Sequence, residues 1–256
     1  MPSLRGLFCV LALPFHTAVL GVVALGVCLL APGDGVLRIA RLWSRVILWT
    51  AGVEVRPLGA ERTAGGPWVV LCNHQSLFDI PALVLTLRRP FRIVAKRELF
   101  RIPIFGWVLR MSGFIGIDRS RRDRAIASLG QGSRVLQEGR HLVMFVEGTR
   151  SDDGNLRPLK KGAFHVAQGS GVDLLPVTFS GSRGVLPRQG YVPRPGVIDV
   201  QVGEPLPHPP PGAPVGEGIV RDAAAALRAG YTSRHAVDLD RTAGMGNRQR
   251  GRRAAG

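Results

Sequence analysis

In the stretch WVVLCNHQSLFDIPA, Trp68 to Ala82, an apolar run ends in a polar cluster with His74 and, five residues on, Asp79. A histidine exchanges a proton near neutral pH, and a carboxylate within reach fixes its tautomer and stabilises the imidazolium. Such a pair suits a general base that takes the proton from a hydroxyl. Taken alone, the same residues also fit an ordinary surface or core histidine and a helix cap, so the rest of the chain has to decide.

The elements that must hold this pair are legible nearby. Trp68–Cys72 is short, β-branched and bounded by Gly66-Pro67, which predicts a buried strand. Asp79 stands just ahead of Ile80-Pro81, a helix-start signal. His74 and Asp79 therefore flank one strand-to-helix turn. Three further strand ends carry polar residues: GFIGIDRSRRDR (Gly113–Arg124), FVEGTRSDDGNLRPLKKGAF (Phe145–Phe164) and LLPVTFSG (Leu174–Gly181). Singly each is weak, because Arg119 fits a surface ion pair and Lys160-Lys161 a solvated charge run. Open α/β sheets gather ligands at strand ends, so these clusters can converge on one crevice.

The wider pattern supports such a sheet. Candidate strands at Val53–Pro57, Trp68–Cys72, Arg92–Ala95, Phe114–Ile117, His141–Phe145, Leu174–Phe179 and Val197–Val202 alternate with helical stretches near Ile80–Leu87, Ile104–Met111, Arg121–Glu138 and Gly162–Gly169. The expected fold class is α/β, a mixed sheet flanked by helices, with an N-terminal membrane-associated helical segment. Residues 1–52 are expected to be membrane-embedded and interfacial helices, 53–230 the α/β domain and 231–256 a basic disordered tail. Leu186 to Glu217, rich in Pro and Gly, reads as loop around one strand.

Leu7–Ala31 carries no Asp, Glu, Lys or Arg and exceeds the roughly 20 residues that cross a bilayer, which favours an uncleaved membrane segment over a signal peptide. Pro14 and His16 leave a kinked or re-entrant helix as open as a straight span. Val36, Ile39, Leu42, Val46 and Trp49 then recur at helical spacing beside Arg38, Arg41 and Arg45. That is the pattern of an interfacial helix or of an ordinary packing helix.

The 256 residues include 34 Lys+Arg against 18 Asp+Glu, a formal charge of +16, with 45% hydrophobic residues. Arginine dominates, so anionic lipid, phosphorylated substrate and nucleic acid are all admissible partners. The three cysteines and six histidines lack the spacings of a metal site or a disulfide framework. There is no GxSxG and no P-loop lysine followed by Ser or Thr, which removes elbow-type serine hydrolases and P-loop enzymes.

The four ordered clusters resemble the glycerolipid acyltransferases of the lysophosphatidate acyltransferase type, over roughly Trp43 to Gly203. His74 and Asp79 in NHQSLFD fit that family's H-x4-D motif, GFIGIDR its second block, EGTRS with KKGAF its third, and LLPVTFSG its fourth. Val146 departs from the proline common before the glutamate, and Gly116 from a bulkier apolar residue.

The resemblance implies a membrane-associated enzyme that moves a fatty acyl group from acyl-CoA or acyl carrier protein to lysophosphatidic acid. The positive-inside bias of Arg38, Arg41 and Arg45 places its catalytic domain on the cytoplasmic face as an expectation. It implies that His74 and Asp79 are catalytic, and that Arg119, Glu147, Gly148, Thr149, Arg150 and Lys160 or Lys161 hold the acceptor. Ionised Glu147 cannot meet a phosphate, so it is expected to position an arginine or the acceptor hydroxyls. A thioester is already activated, so no covalent acyl-enzyme, metal or cofactor is expected. The sequence identifies no oxyanion donor; amides of the Asn73–Ser76 turn are the candidates. Another lyso-lipid, such as a lyso-ornithine lipid or a lysophospholipid with a head group, is the nearest alternative acceptor. A basic nucleic-acid-binding membrane protein would leave both the His74–Asp79 pair and the apolar N-terminus unexplained.

Overall fold

The computed structural model of the chain describes residues 4–31, 33–118 and 122–235, with 122–129 as backbone only. Its strands are β1 (Val53–Leu58), β2 (Val69–Cys72), β3 (Phe91–Lys96), β4 (Ile115–Ile117), β5 (His141–Phe145), β6 (Leu174–Ser180) and β7 (Gly196–Val202). They make one sheet in the order β1-β7-β6-β2-β5-β3-β4, and every pair is parallel except β6–β7. The expected mixed α/β sheet is therefore present.

Strand β2 lies at its centre, and all four of its residues are buried because helices cover both faces. Alternation along β2 sends Val70 and Cys72 to one core and Val69 and Leu71 to the other. The first core is covered by α1 (Leu4–Leu30), α2 (Val36–Ala51) and α3 (Asp79–Thr86). The second is closed by α5 (Arg122–Gln137), α6 (Gly162–Ser170) and α8 (Glu217–Ala229). Two short helices, α4 (Phe105–Met111) and α7 (Ser182–Val185), complete the set. The sequence reading left α8 unassigned, since only Ala223 and Leu227 are buried and alanine adds little to an apolar stripe.

Helix α1 runs unbroken through Pro14. Its 27 residues are long and apolar enough to cross a membrane, yet the helix is tied along its length to the domain. The Arg5 guanidinium donates to the Thr50 carbonyl (3.2 Å), Trp43 Nε1 donates to Thr17 Oγ1 (3.0 Å), and Cys28 Sγ meets Ser112 Oγ at 3.6 Å. Small residues, Gly6, Cys9, Ala24 and Cys28, face the protein, while Leu4, Phe8, Leu11, Phe15, Val22 and Leu30 face outward. A helix with its large apolar side chains outside is arranged for lipid rather than water.

In α2 the buried face is Val36, Leu37, Ser44, Ile47, Leu48, Thr50 and Ala51, so of the apolar positions read at helical spacing Val36 is covered while Leu42 and Trp49 are not. Leu42 is exposed and Trp49 is 72% exposed, on the same outward side as Arg38 and Arg45. Helix α2 thus packs with one face and presents a tryptophan-arginine stripe with the other.

Between α1, α2, α3, α4 and β3 lies a cavity of about 190 Å³ with an almost wholly apolar lining, including Leu20, Trp43, Val84, Phe105 and Phe114. Ile80, the residue after Asp79, also lines it.

Candidate active site

Because β6, β2 and β5 are parallel neighbours, their C-terminal ends meet: Cys72 is in register with Phe145 on one side and Val177 on the other. The loops after β2 and β5 consequently lie side by side. Asn73, fully buried, locks the β2 end to β6 by accepting from the Phe179 amide (2.7 Å) and donating to the Phe179 carbonyl (3.1 Å).

His74 and Asp79 come together as expected, with Nδ1 of the imidazole 2.8 Å from Oδ2 of the carboxylate. The same oxygen accepts from the amides of Gln75 and Ser76, each at 2.8 Å. Asp79 is wholly buried at the first turn of α3, where the helix dipole also favours a negative charge. It thus organises the whole turn as well as the ring. With Nδ1 committed to Asp79, Nε2 is the nitrogen left to exchange a proton with a substrate. The ring also rests on Phe145, centroids 4.1 Å apart, which restricts its rotation.

Three amides of the turn, those of His74, Gln75 and Ser76, are not available as oxyanion donors. Those of Gln75 and Ser76 are held by Asp79, and that of His74 donates to Glu147 Oε1 at 2.6 Å. The amides of Thr149 and Arg150, in the facing loop, make no hydrogen bond among the described residues.

Glu147 ties the two loops. Its Oε1 takes the His74 amide and its Oε2 the Arg157 amide (2.9 Å), so it holds backbone rather than an arginine side chain or a hydroxyl. Burial pushes its carboxyl up to about 7, against the lowering by those two amide donors. A carboxyl raised in this way lends stability that is full below its unfolded value of about 4.5 and is lost as pH rises through 7. Glu147→Gln cannot titrate. The wild-type minus Glu147→Gln difference in Tm is therefore expected to be higher at pH 5 than at pH 8, by roughly 5 °C, in paired thermal melts.

The remaining candidates divide. Gly148 has φ +74°, the left-handed conformation that suits glycine, and turns the chain beside the Lys160 side chain. Thr149 and Arg150 follow, both half-buried. The Arg150 guanidinium makes no ion pair among the described residues, and burial together with the nearby Arg188 charge lowers its pKa. Arg188 secures this loop by donating to the Arg150 carbonyl (3.2 Å) and to Asp152 (2.8 Å). Lys161 does not join the group: its Nζ pairs with Glu217 at 2.5 Å and donates to the Val215 carbonyl, bracing α8. Arg119 lies outside the described residues.

Both departures from the family pattern have a local account. The Val146 amide donates to the Cys72 carbonyl at 3.0 Å, a bond that a proline there could not make. At Gly116, a Cβ would stand 3.1 Å from the Phe100 ring, which fills the space a bulkier residue would take.

Sequence reasoning gave no role to Tyr231 and His235. Residues 231–235 fall in the stretch expected to be a tail, yet they pack against the catalytic turn. Their rings stack with centroids 3.6 Å apart, and His235 Nδ1 lies 3.3 Å from Gln75 Nε2. Nothing in the Arg- and Gly-rich composition that follows could have signalled it. Residues 236–256 lie outside the described residues.

The sheet thus carries a histidine-carboxylate pair after β2 and a glycine-arginine loop after β5. Residues 54–180 match the Acyltransferase family model, and they are an acyltransferase-family domain. The relatives narrow the likeness. The chain is 36% identical over 171 residues to the 1-acyl-sn-glycerol-3-phosphate acyltransferase of Saccharomyces cerevisiae, covering 65% of this chain and 56% of the relative. To the enzyme of that name from Pseudomonas aeruginosa it is 32% identical over 166 residues, 63% of this chain and 64% of the relative. The match thus spans between half and two thirds of these relatives. The crystal structure of the 1-acyl-sn-glycerophosphate (LPA) acyltransferase PlsC from Thermotoga maritima superposes with a TM-score of 0.75 at 25% identity, over 90% of this chain and 96% of that one.

Proposed function

We propose that this protein acylates the free hydroxyl of 1-acyl-glycerol-3-phosphate, making phosphatidic acid, with acyl-CoA or acyl carrier protein as the donor. The observation that carries the reading is the His74–Asp79 pair, with Nε2 unengaged among the described residues, beside the Gly148–Arg150 loop. His74 Nε2 takes the hydroxyl proton as the oxygen attacks the thioester carbonyl, and Asp79 stabilises the imidazolium. The tetrahedral intermediate collapses with loss of the thiolate, which recovers the proton from His74. The amides of Thr149 and Arg150 are the available donors toward developing negative charge, whether on the oxyanion or on the acceptor phosphate. The thioester supplies the activation, so the reaction as proposed uses a co-substrate and no cofactor. The apolar cavity beside Ile80 suits a fatty chain.

The outward apolar side of α1 and the tryptophan-arginine stripe of α2 fit a membrane, with α1 lying along the flank of the domain. We place the catalytic domain on the cytoplasmic side, where arginines flanking membrane segments accumulate and thioester donors are found.

The head group is tested through Arg150. A charge-assisted contact to a phosphate is worth about ten- to a hundredfold in affinity. Arg150→Ala should lower kcat/KM for lysophosphatidate by about that factor, and Arg150→Lys should recover only part, since a point charge lacks the bidentate fork. On a lyso-lipid without a phosphate monoester, wild type should be poor and Arg150→Ala no poorer in proportion. A wild-type preference for that lipid moves the acceptor to another lyso-lipid and leaves His74 and Asp79 in their roles. Unchanged kinetics of both variants on lysophosphatidate removes Arg150 from the clamp.

A further inference from the structure

Behind the catalytic turn lies a segment that the chemistry does not use. Helix α8 ends at Gly230, where a Cβ would stand 2.5 Å from Thr178 Oγ1, so only glycine lets the chain pass this close under β6. From there Tyr231–His235 crosses the C-terminal end of β6 and the middle of β7, which runs antiparallel to it. The Thr232 amide donates to Ser180 Oγ (3.1 Å), Thr232 Oγ1 donates to Asp199 Oδ2 (2.8 Å), and the Arg234 guanidinium pairs with the same carboxylate at 3.0 Å. Asp199 is itself largely buried, so the segment is anchored from within the sheet.

The inner side of the segment meets the two residues that bracket His74. Asn73 Nδ2 lies 3.5 Å from Tyr231 Oη, and Gln75 Nε2 lies 3.3 Å from His235 Nδ1. Gln75 Nε2 also donates to the Gly154 carbonyl at 2.8 Å, which sets the orientation of the amide and makes His235 Nδ1 the acceptor. His235 is therefore neutral, with its proton on Nε2. Asn73 and Gln75 are 0% and 1% exposed, so neither has water as an alternative partner. The segment lies beyond residues 54–180, the part matched by the family model.

We propose that Tyr231–His235 is a positioning strap for the catalytic turn, in which His235 and Tyr231 hold Gln75 and Asn73 and thereby fix the backbone that presents His74 to the acceptor hydroxyl. Neither residue touches the reacting atoms; they act through the turn. Displacement of a catalytic group by about 1 Å can cost up to a hundredfold in rate, so a few lost constraints here are enough to be measured. This inference rests on the acyl-transfer reading above for its kinetic consequence, though not for its geometry.

The test uses the full chain with three substitutions. His235→Leu keeps bulk against Tyr231 and removes the acceptor, Tyr231→Ala removes the stack, and His235→Gln restores an acceptor oxygen within reach of Gln75. Amide hydrogen exchange over residues 73–79 is expected to quicken about tenfold in His235→Leu and Tyr231→Ala, while residues 141–145 in β5 keep wild-type protection. In the same proteins kcat on lysophosphatidate should fall about tenfold with KM within about twofold, and His235→Gln should recover most of it. Unchanged exchange over 73–79, or exchange that rises equally in β5, overturns the strap, since the first denies the coupling and the second makes the role one of general stability. Wild type inactive on lysophosphatidate would refute the acceptor assignment alone, and the exchange comparison would still decide the strap.

Discussion

A His74→Ala protein is expected to keep its fold and to lose about a thousandfold in kcat, within the range that a positioned general base contributes. The fold should survive because among the described residues the imidazole bonds only to Asp79 and rests on Phe145, while the Asp79 carboxylate keeps the amides of Gln75 and Ser76. KM for the acceptor should change little, because the Gly148–Arg150 loop is held by Arg188 and by Glu147, neither of which bonds to the His74 side chain. Circular dichroism and a thermal melt establish folding, and release of free thiol from the thioester donor measures turnover. A folded variant with turnover within tenfold of wild type removes His74 from the chemistry.

Asp79→Asn is expected to cost nearly as much, roughly a hundred- to a thousandfold in kcat, with a smaller loss of stability than Asp79→Ala. The asparagine oxygen can still accept from Gln75 and Ser76, so the turn is kept. The site changes in the respect that matters to the chemistry: the negative charge opposite the imidazolium is gone, while the amide oxygen in the place of Oδ2 still accepts from both backbone amides and from Nδ1. Alanine leaves both amides and the ring without their acceptor inside a closed site, at about 1–3 kcal/mol for each buried group. Equal melting temperatures for the two variants would mean that Asp79 does not organise the turn. Asparagine activity equal to wild type would mean that its charge plays no part in catalysis.

The strands were legible because each is a short apolar run closed by turn residues, and the His74–Asp79 pair because both partners lie within one turn. Strand order was not, since nothing local tells β2 that its neighbours are β5 and β6 from far along the chain. That order sets the character of the site: it puts Glu147 against the His74 amide, and so turns an expected substrate ligand into a tie between loops. Lys160 and Lys161 look alike in sequence, yet they stand where α6 begins, and one turns toward Gly148 while the other reaches Glu217 on α8. The strap at Tyr231–His235 was hidden for a related reason, as was the choice between an interfacial and a packing role for each face of α2. Both depend on which side of an element the rest of the fold happens to cover.

Acyl transfer to lysophosphatidate, followed as free thiol and as phosphatidate in one reaction with acyl-CoA and acyl carrier protein donors in parallel, bears most directly on the central claim. With wild type, one thiol should appear for each phosphatidate, only when the acceptor is present, and folded His74→Ala should give neither above background. Thiol release that ignores the acceptor, or phosphatidate made at the wild-type rate by His74→Ala, would contradict a His74-driven acyl transfer.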